Sequence, residues 1–484
     1  MKSSILWFRQ DLRLDDNPAL EAALQTGQSI IPVYIVEPDM HDWTPGAASQ
    51  WWLHHSLLAL QQSLRARGSD LLILKGSAQQ QIQQLCNHTS SRHVFWNRCY
   101  EPHAIQRDRQ IKKSLQENDI EAHSFNGSLL TEPWQGLKKD NTPYRVFTPF
   151  WKAMQRNGIN MYRFKAPEKI PAMTAIDMKN SASDIDSLQL LPQIPWDTGF
   201  HKLWQPGESG ANTNLDIFLD DAALHYPEER DVPGIKGTSC LSPHLHFGEI
   251  SPWKIWQALQ AWSSSNTSAG SIKATEAFLR QLGWRDFAHQ LLYHFPHTAD
   301  KPLDERFEKF PWKRNYKKQL RRWQKGLTGI PIVDAGMREL WQTGTMHNRV
   351  RMITASLLTK NMLIPWQEGA KWFWDTLVDA DLANNSMGWQ WTAGSGADAA
   401  PFFRIFNPIR QGERFDTKGH YVRHWLPELK ALPDKWIHHP WEAPEEVLQQ
   451  AHVTLGKNYP IPIVDLSESR QRALSIWNEI KVHR

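Results

Sequence analysis

The sequence predicts two domains of different class: an α/β domain built on a doubly wound parallel sheet of Rossmann-like type, then an all-α domain. Three observations carry this. Over residues 1–131 short apolar runs alternate with amphipathic helical stretches, the signature of βαβ units. Over residues 206–484 helical periodicity dominates and strand patterns are almost absent. Between them, residues 132–205 are punctuated by Pro133, Pro143, Pro149, Pro167, Pro171, Pro192 and Pro195 and read as a connector wrapped over the surface. At 484 residues the chain is long for one domain and long enough to bury more than one core.

The elements follow in order. Residues 4–8, Ser-Ile-Leu-Trp-Phe, read as a buried strand. Residues 14–26 suit a helix, with Asp16 or Asn17 as its cap and Pro18 in its first turn. Residues 30–35 form a second strand, 49–67 a long amphipathic helix and 71–75 a third strand. A helix over 78–88, a strand at 93–96, a helix over 103–118 and a strand at 121–125 complete the run. No glycine-rich phosphate loop follows the first strand, which leads instead into Arg9-Gln10-Asp11-Leu12-Arg13, so no dinucleotide site is read there. Further on, 211–224, 251–263, 271–292, 334–343, 346–361 and 368–378 read as helices, with no repeat of 20–50 residues.

Composition narrows the function. The net charge is +4 and the isoelectric point about 8.8, too mild to establish a nucleic-acid partner. Residues 301–360 nevertheless hold 14 Lys/Arg against 5 Asp/Glu. Cys86, Cys99 and Cys240 form no CxxC pair, which argues against a disulfide framework and against a zinc or iron–sulfur site, so no metal is expected. No signal peptide is read at Met1-Lys2-Ser3-Ser4, and no apolar run nears the ~18 residues that cross a bilayer. A soluble, cytoplasmic protein is therefore expected. The 25 tryptophans exceed ordinary usage and suggest stacking or electron transfer beside packing.

Five stretches carry chemistry. Residues 379–391 set Asp379, Ala380, Asp381, Asn384 and Asn385 before Trp389 and Trp391. That mix suits a site that hydrogen-bonds and stacks on a polar aromatic ligand; a helix end capped by Asx residues reads equally well. Gly237-Thr238-Ser239-Cys240-Leu241-Ser242-Pro243 is a hydroxyl-rich turn that can cradle phosphate, or simply cap a helix. In residues 278–286, Phe278, Gln281, Trp284 and Arg285 are read as one helix face able to hold a base, though such stripes are more often core. In 345–352, Asn348 and Met352 face one way at i and i+4, while Arg349 and Arg351 diverge. Lys313, Arg314, Lys317, Lys318, Arg321, Arg322 and Lys325 read as a basic stripe on one helix, either a DNA contact or a solvated face.

Together these stretches resemble the DNA photolyase/cryptochrome family, most closely the bacterial cyclobutane-pyrimidine-dimer photolyases. The likeness runs from Trp7-Phe8-Arg9-Gln10-Asp11-Leu12-Arg13-Leu14 through Tyr144–Phe150, Gly237–Pro243, Gly283–Phe287, Gly329–Ala335, Met346–Met352 and Asp379–Trp391 to Asp398–Pro401 and Phe403–Pro408. The resemblance implies an α/β antenna domain, a helical FAD-binding domain, damaged DNA as partner, no membrane and a monomeric chain. It places Tyr226, Thr238, Ser239, Cys240, Leu241 and Ser242 along the flavin's ribityl and phosphate part, with Phe278 near the cofactor. Arg351 and Asp379 would pair beside the isoalloxazine, Ala380 and Asp381 would sit at the ring, and Asn385 would face flavin N5. Trp389, Trp366 and Trp312 would relay electrons to the surface.

By the same resemblance, Trp284 and Trp391 would wall the lesion pocket, with Arg230, Gln281, Arg285, Asn348, Arg349, Met352 and Gln411 on the DNA side. Glu101, in Asn97-Arg98-Cys99-Tyr100-Glu101, would hold a 5,10-methenyltetrahydrofolate antenna. The implied activity is light-driven repair of cyclobutane pyrimidine dimers by an electron from excited reduced FAD. A cryptochrome-like blue-light photoreceptor is the alternative, and a (6-4) photolyase a weaker one. Gln281 departs from the glutamate usual in dimer photolyases, and an amide cannot supply a proton. (6-4) photolyases carry glutamine there too, but their paired histidines would fall at Asn348 and Met352. Asn384-Asn385-Ser386-Met387 is a second departure, where small residues are more usual.

Overall fold

The alternation of residues 1–131 closes into one parallel sheet. In the computed structural model, which describes residues 2–38, 43–159, 163–172, 183–399, 401–402 and 404–482, the strands are β1 (Ser3–Phe8), β2 (Ser29–Val36), β3 (Leu72–Lys75), β4 (His93–Asn97) and β5 (Glu121–Phe125). Their spatial order is β3-β2-β1-β4-β5, all parallel. Helices α1 (Pro18–Gln25), α2 (Ala47–Arg65), α3 (Ala78–Thr89) and α4 (Pro102–Gln116) connect them. All six residues of β1 are buried, as expected of a central strand covered on both faces. Its side chains alternate: Leu6 and Phe8 pack with Trp51 and Trp52, while Ile5 and Trp7 pack with Ile82, Leu85 and Ile111. Pro32 lies inside β2 without breaking it, because pairing with β3 starts only at Val33. Asn17 is the cap of α1; its side chain accepts from Leu20 N–H and Pro18 follows at the first turn.

The strand order reverses between β1 and β4, which opens a crevice at the carboxyl ends of those strands. Arg9 directly follows β1 there, Asn97 ends β4, and Glu101 stands at the start of α4.

The connector is more structured than its prolines suggested. A helix spans Phe147–Asn157 and buries Phe147, Phe150, Trp151 and Met154 with residues of the helical half. Pro149 lies in its first turn, where a missing N–H costs no intrahelical bond.

The helical half is organised on the helix Leu382–Ala393, against which the long helix Ala269–His294, Asn348–Ser356 and Trp366–Thr376 all pack. The helix read over 346–361 widens to a π-type turn at Leu357–Asn361. The basic stripe is a single helix only from Lys317 to Gln324; Lys313 and Arg314 precede it, and Leu320 and Trp323 point inward. Ala400 and Phe403, within the last motifs of the resemblance, lie outside the described residues.

The halves meet backbone to backbone. Leu12 N–H donates to Phe247 C=O at 3.0 Å, and beside it the Arg13 guanidinium donates to Gly248 C=O at 2.8 Å. A Cβ on Gly248, at φ +65°, would fall 2.1 Å from Gln10 O, so no side chain fits this seam. Trp52 donates to Glu249 (3.0 Å) and Lys254 pairs with Asp15 (2.7 Å) across it.

Candidate functional site

Residues distant in sequence converge on the stretch 379–391. Leu382–Ala393 is a helix whose cap is Asp381: its carboxylate accepts from the backbone and side-chain N–H groups of Asn384, both at 2.7 Å. The capped-helix reading and the polar-site reading are thus both realised. Asp379, two residues earlier, accepts from Arg351 at 3.0 Å and from Ser242 Oγ at 2.7 Å. One carboxylate therefore joins the hydroxyl-rich turn, the Asn348–Ser356 helix and the 379–391 stretch. Arg351 is held from behind by donating through Nε to Met346 C=O (2.7 Å). Ala380 is buried between the two acids.

The turn itself suits a ligand. Leu241 is buried, while Thr238, Cys240 and Ser242 are exposed and Ser239 is half-exposed. Cys240 sits at φ +52°, and surrounding protein pushes its thiol pKa up although its surface is open. A group both enclosed by protein and reachable lines a cleft. Tyr226 and Phe278 are buried together, ring centroids 5.1 Å apart, as expected of neighbours at a cofactor.

Asp381 shows partners the sequence reading missed. Its second oxygen lies 3.4 Å from His289 Nε2 and 3.7 Å from His246 Nδ1. Burial alone would raise Asp381, but His289 and His246 hold it well below the usual carboxylate range. Burial likewise would lower His289, and the Asp381 charge holds it raised. A charge pair is thus fixed beneath the cleft. Nothing local in the sequence marks it, because the histidines belong to other helices. Close by, burial pushes Glu339 up to about 7, and it accepts from Tyr421 O–H and from His347 N–H (3.2 Å). His347, pushed down to about 4 by burial, caps its helix by accepting from Arg349 N–H at 3.2 Å.

Asn385 is half-buried and donates from Nδ2 to Ala370 C=O at 3.0 Å, which leaves its oxygen as the available acceptor. Trp389 is buried and packed over Gly369, where a Cβ would lie 2.0 Å from the indole. Trp366 is buried in the same core, and Trp312 is half-buried against it. The three indoles therefore run from interior to surface. Among the described residues they share no ring contact; the rings against Trp389 are Phe373 (5.0 Å) and Trp323 (6.2 Å). Met387 packs against both cores of the helical half, which accounts for its size.

A second group of side chains lies at the mouth. Arg230 donates to Gln281 Oε1 at 3.2 Å and covers the Tyr226 ring at 5.3 Å. Its neighbour Asp231 accepts from Arg349 at 2.7 Å, and Arg349 in turn lies over Phe415 at 4.4 Å. Gln411 is one turn before Phe415 on the helix Pro408–Phe415. Gln411 Oε1 and Arg349 Nε are buried without a protein partner, a costly arrangement unless a ligand completes it. Asn348 is exposed and turned to Met352 Sδ at 4.0 Å. Trp284 is stacked on Phe147 at 3.8 Å and 9°, which fixes it as a wall; Phe147 carried no signal once the connector was read as loop. Trp391, two residues beyond Trp389, is half-buried.

Arg285 is a correction. Its guanidinium is not offered to DNA but donates to Ser128 C=O and, at 3.3 Å, to Leu245 C=O. Arg285 ties the end of the sheet domain to the helical half.

In the N-terminal crevice Glu101 is buried. Its Oε1 accepts from Gln10 at 2.9 Å and its Oε2 has no partner.

Fold and site thus define a two-domain protein whose helical half holds a polar, aromatic-walled cleft and whose sheet holds a separate crevice. Residues 278–479 match the FAD binding domain of DNA photolyase, and residues 4–172 match the DNA photolyase domain. The chain is 47% identical to a deoxyribodipyrimidine photo-lyase of Agrobacterium fabrum, over 99% of this chain and 98% of that one. It is 39% identical to cryptochrome-2 of Arabidopsis thaliana, over 99% of this chain and 80% of that one. A crystal structure of a bacterial class III photolyase from Agrobacterium tumefaciens superposes with a TM-score of 0.94, at 46% identity, over 99% of this chain and 98% of that one. The chain belongs to the DNA photolyase/cryptochrome family.

FAD fits the residues present. The open hydroxyls of the 238–242 turn, the Arg351–Asp379 pair and the fixed Asn385 amide offer donors and acceptors to its polar parts. The unpartnered Glu101 oxygen likewise fits a polar antenna ring.

Proposed function

We propose that this protein is a deoxyribodipyrimidine photolyase, a carbon–carbon lyase that repairs cyclobutane pyrimidine dimers in DNA under blue light. The cleft carries this reading: the Ser242–Asp379–Arg351 bridge and the Asn385 amide lie in the same half as the lesion-side set Arg230–Gln281, Arg349 and Trp284. When bound and reduced, FAD supplies the light-driven electron that opens the cyclobutane ring, and takes it back afterwards.

The chain's residues do the rest. Thr238, Ser239, Cys240, Ser242, Tyr226 and Phe278 hold the flavin, and Arg351 with Asp379 flanks its ring. Asn385, its Nδ2 held by Ala370 C=O, would offer its amide oxygen to the bound flavin, and the Asp381–His289 pair would lie beneath it. Trp389, Trp366 and Trp312 pass electrons inward from the surface and restore the reduced state. Photolyases are among the enzymes that take their target bases out of the stack, and a dimer, already poorly paired, is cheaper to extrude than a normal pair. Trp284, braced by Phe147, and Trp391 receive it by stacking, worth about 1–3 kcal/mol per base. Arg230 orients Gln281 toward it, and Arg349 meets phosphate once it leaves Asp231. Glu101 holds a methenyltetrahydrofolate antenna. The protein acts as a monomer in the cytoplasm; no helix among the described residues is long and apolar enough to cross a membrane.

The test is a repair assay with photoreduced protein and two oligonucleotides, one with a cyclobutane thymine dimer and one with a (6-4) product, in blue light and in darkness. Light-dependent loss of the cyclobutane dimer alone is expected. Loss of neither, with FAD bound and photoreducible, overturns repair in favour of a blue-light receptor; loss of the (6-4) product alone overturns the lesion class.

A further inference from the structure

The edge of the N-terminal sheet carries a cluster that the proposed photochemistry does not use. The parallel register of β4 and β5 sets His93 opposite Glu121 and Phe95 opposite His123. Alternate residues of a strand share a face, so Glu121 and His123 point the same way, and strand pairing brings His93 beside them. Both imidazoles aim at one carboxylate oxygen: His93 Nδ1 is 3.5 Å and His123 Nε2 is 3.2 Å from Glu121 Oε2. One ligand atom from each of the three residues lies within 4.8 Å of the others. A tetrahedral ion bound at about 2.0–2.1 Å holds its ligand atoms about 3.4 Å apart, so the two nitrogens already stand at that spacing from the oxygen. His123 is stacked on Phe95 at 4.8 Å and 15°, and the two imidazoles lie 27° from parallel, which limits the rotation of His123. His93 and His123 are half-buried and Glu121 is exposed, which leaves room for water as a fourth ligand.

We infer that His93, Glu121 and His123 bind one first-row divalent transition ion, of which Zn2+ is the representative, and that it clips edge strand β5 to β4. Two nitrogens and one oxygen suit zinc and its neighbours; magnesium and calcium take oxygen sets. The cysteine pattern gave no hint of this, because the ligands are assembled by strand register rather than by sequence spacing.

The experiment uses the full-length, FAD-bound protein, stripped with a chelator that is then removed. ZnCl2 is titrated calorimetrically, and bound zinc per chain is measured by mass spectrometry after gel filtration. One ion per chain is expected, with a dissociation constant at or below about 10 µM. His93→Ala and His123→Ala each weaken binding by about tenfold or more, since even losing an outer-shell partner costs that much. Glu121→Gln, at an exposed position where folding is not at stake, weakens it as well. Flavin content and light-driven repair stay at the parent level in all three. Absence of saturable binding overturns the site, as does stoichiometric binding with equal affinity in the parent, in His123→Ala and in Glu121→Gln.

Discussion

The two halves of the molecule both bury charge, but they complete it differently. At the N-terminal crevice most partners belong to the protein. Arg9 donates two bonds of 2.8 Å to Asp108 and a third to Asn97 C=O, and Asp108 also accepts from Trp96 at 3.2 Å. Asp11 accepts from Asn97 at 2.7 Å, and Arg13 is taken up by the carbonyls of Asp16, Gly127 and Gly248. At the helical cleft the same residue types are left with capacity: the turn's hydroxyls are open and Gln411 Oε1 and Arg349 Nε lack partners. A closed set holds a fold, while an open set waits for a ligand. The closure is not complete, since Arg9 Nε, Asn97 Oδ1 and Glu101 Oε2 also lack partners there, and Glu101 is the residue proposed for the antenna.

Breaking the closed set has the largest expected effect. Arg9→Met removes the closer of the two cations on buried Asp108, leaving Arg107 at 3.2 Å, and costs up to ~3–5 kcal/mol, read as a fall in the denaturant midpoint. A loss under ~1 kcal/mol would show that this set is not what holds the sheet domain. Next comes Trp389→Phe, on the open side. It costs only ~1–3 kcal/mol from the space vacated over Gly369, yet removes most of the photoreduction rate followed by flavin absorbance. Normal photoreduction would remove Trp389 from the relay and direct attention to other indoles.

A subtler effect sharpens the comparison through pH. Asp381 holds His289 raised, so the histidine's contribution is complete below about pH 6.5 and is lost as pH climbs through its folded value. Asp381 is itself depressed, so its contribution is present above about pH 4 and is lost only as pH falls through that lowered value. The pair is therefore strongest between about pH 4 and 6.5. The melting-temperature advantage of the parent over His289→Gln should be greatest there and shrink toward pH 9; an advantage that grows with pH contradicts the pair. Smallest of all is Glu101→Gln. It removes an under-satisfied buried charge, so stability should stay within ~0.5 kcal/mol of the parent. Only repair at limiting light should fall, and a matching loss under saturating light would tie Glu101 to the flavin half instead.

Legibility followed the range of the interactions. The sheet domain was readable nearly residue by residue, because its signals are local: alternation in β1, the Asn17 cap with Pro18, and the turns before α3 and α4. The helix Phe147–Asn157 was hidden because Pro149 was weighed as a breaker, though it sits where proline is tolerated. Arg285 was assigned to the cleft by helical spacing, which cannot show that its guanidinium is taken up by the distant Ser128 and Leu245 carbonyls. The cleft residues were named through resemblance, and their convergence then followed from the Ser242–Asp379–Arg351 bridge. His246 and His289 were invisible, because their meaning exists only once three helices meet at Asp381.

The glycine seam has an optical consequence. Gly248 meets Gln10 with no room for a side chain at that point, and the Trp52–Glu249 and Lys254–Asp15 contacts brace the same joint. Resonance transfer of excitation from one chromophore to another depends steeply on their separation and on the angle between their transition dipoles. A joint this close would fix both quantities for a flavin in the helical half and the antenna ligand proposed at Glu101, with their alignment set once, when the chain folds.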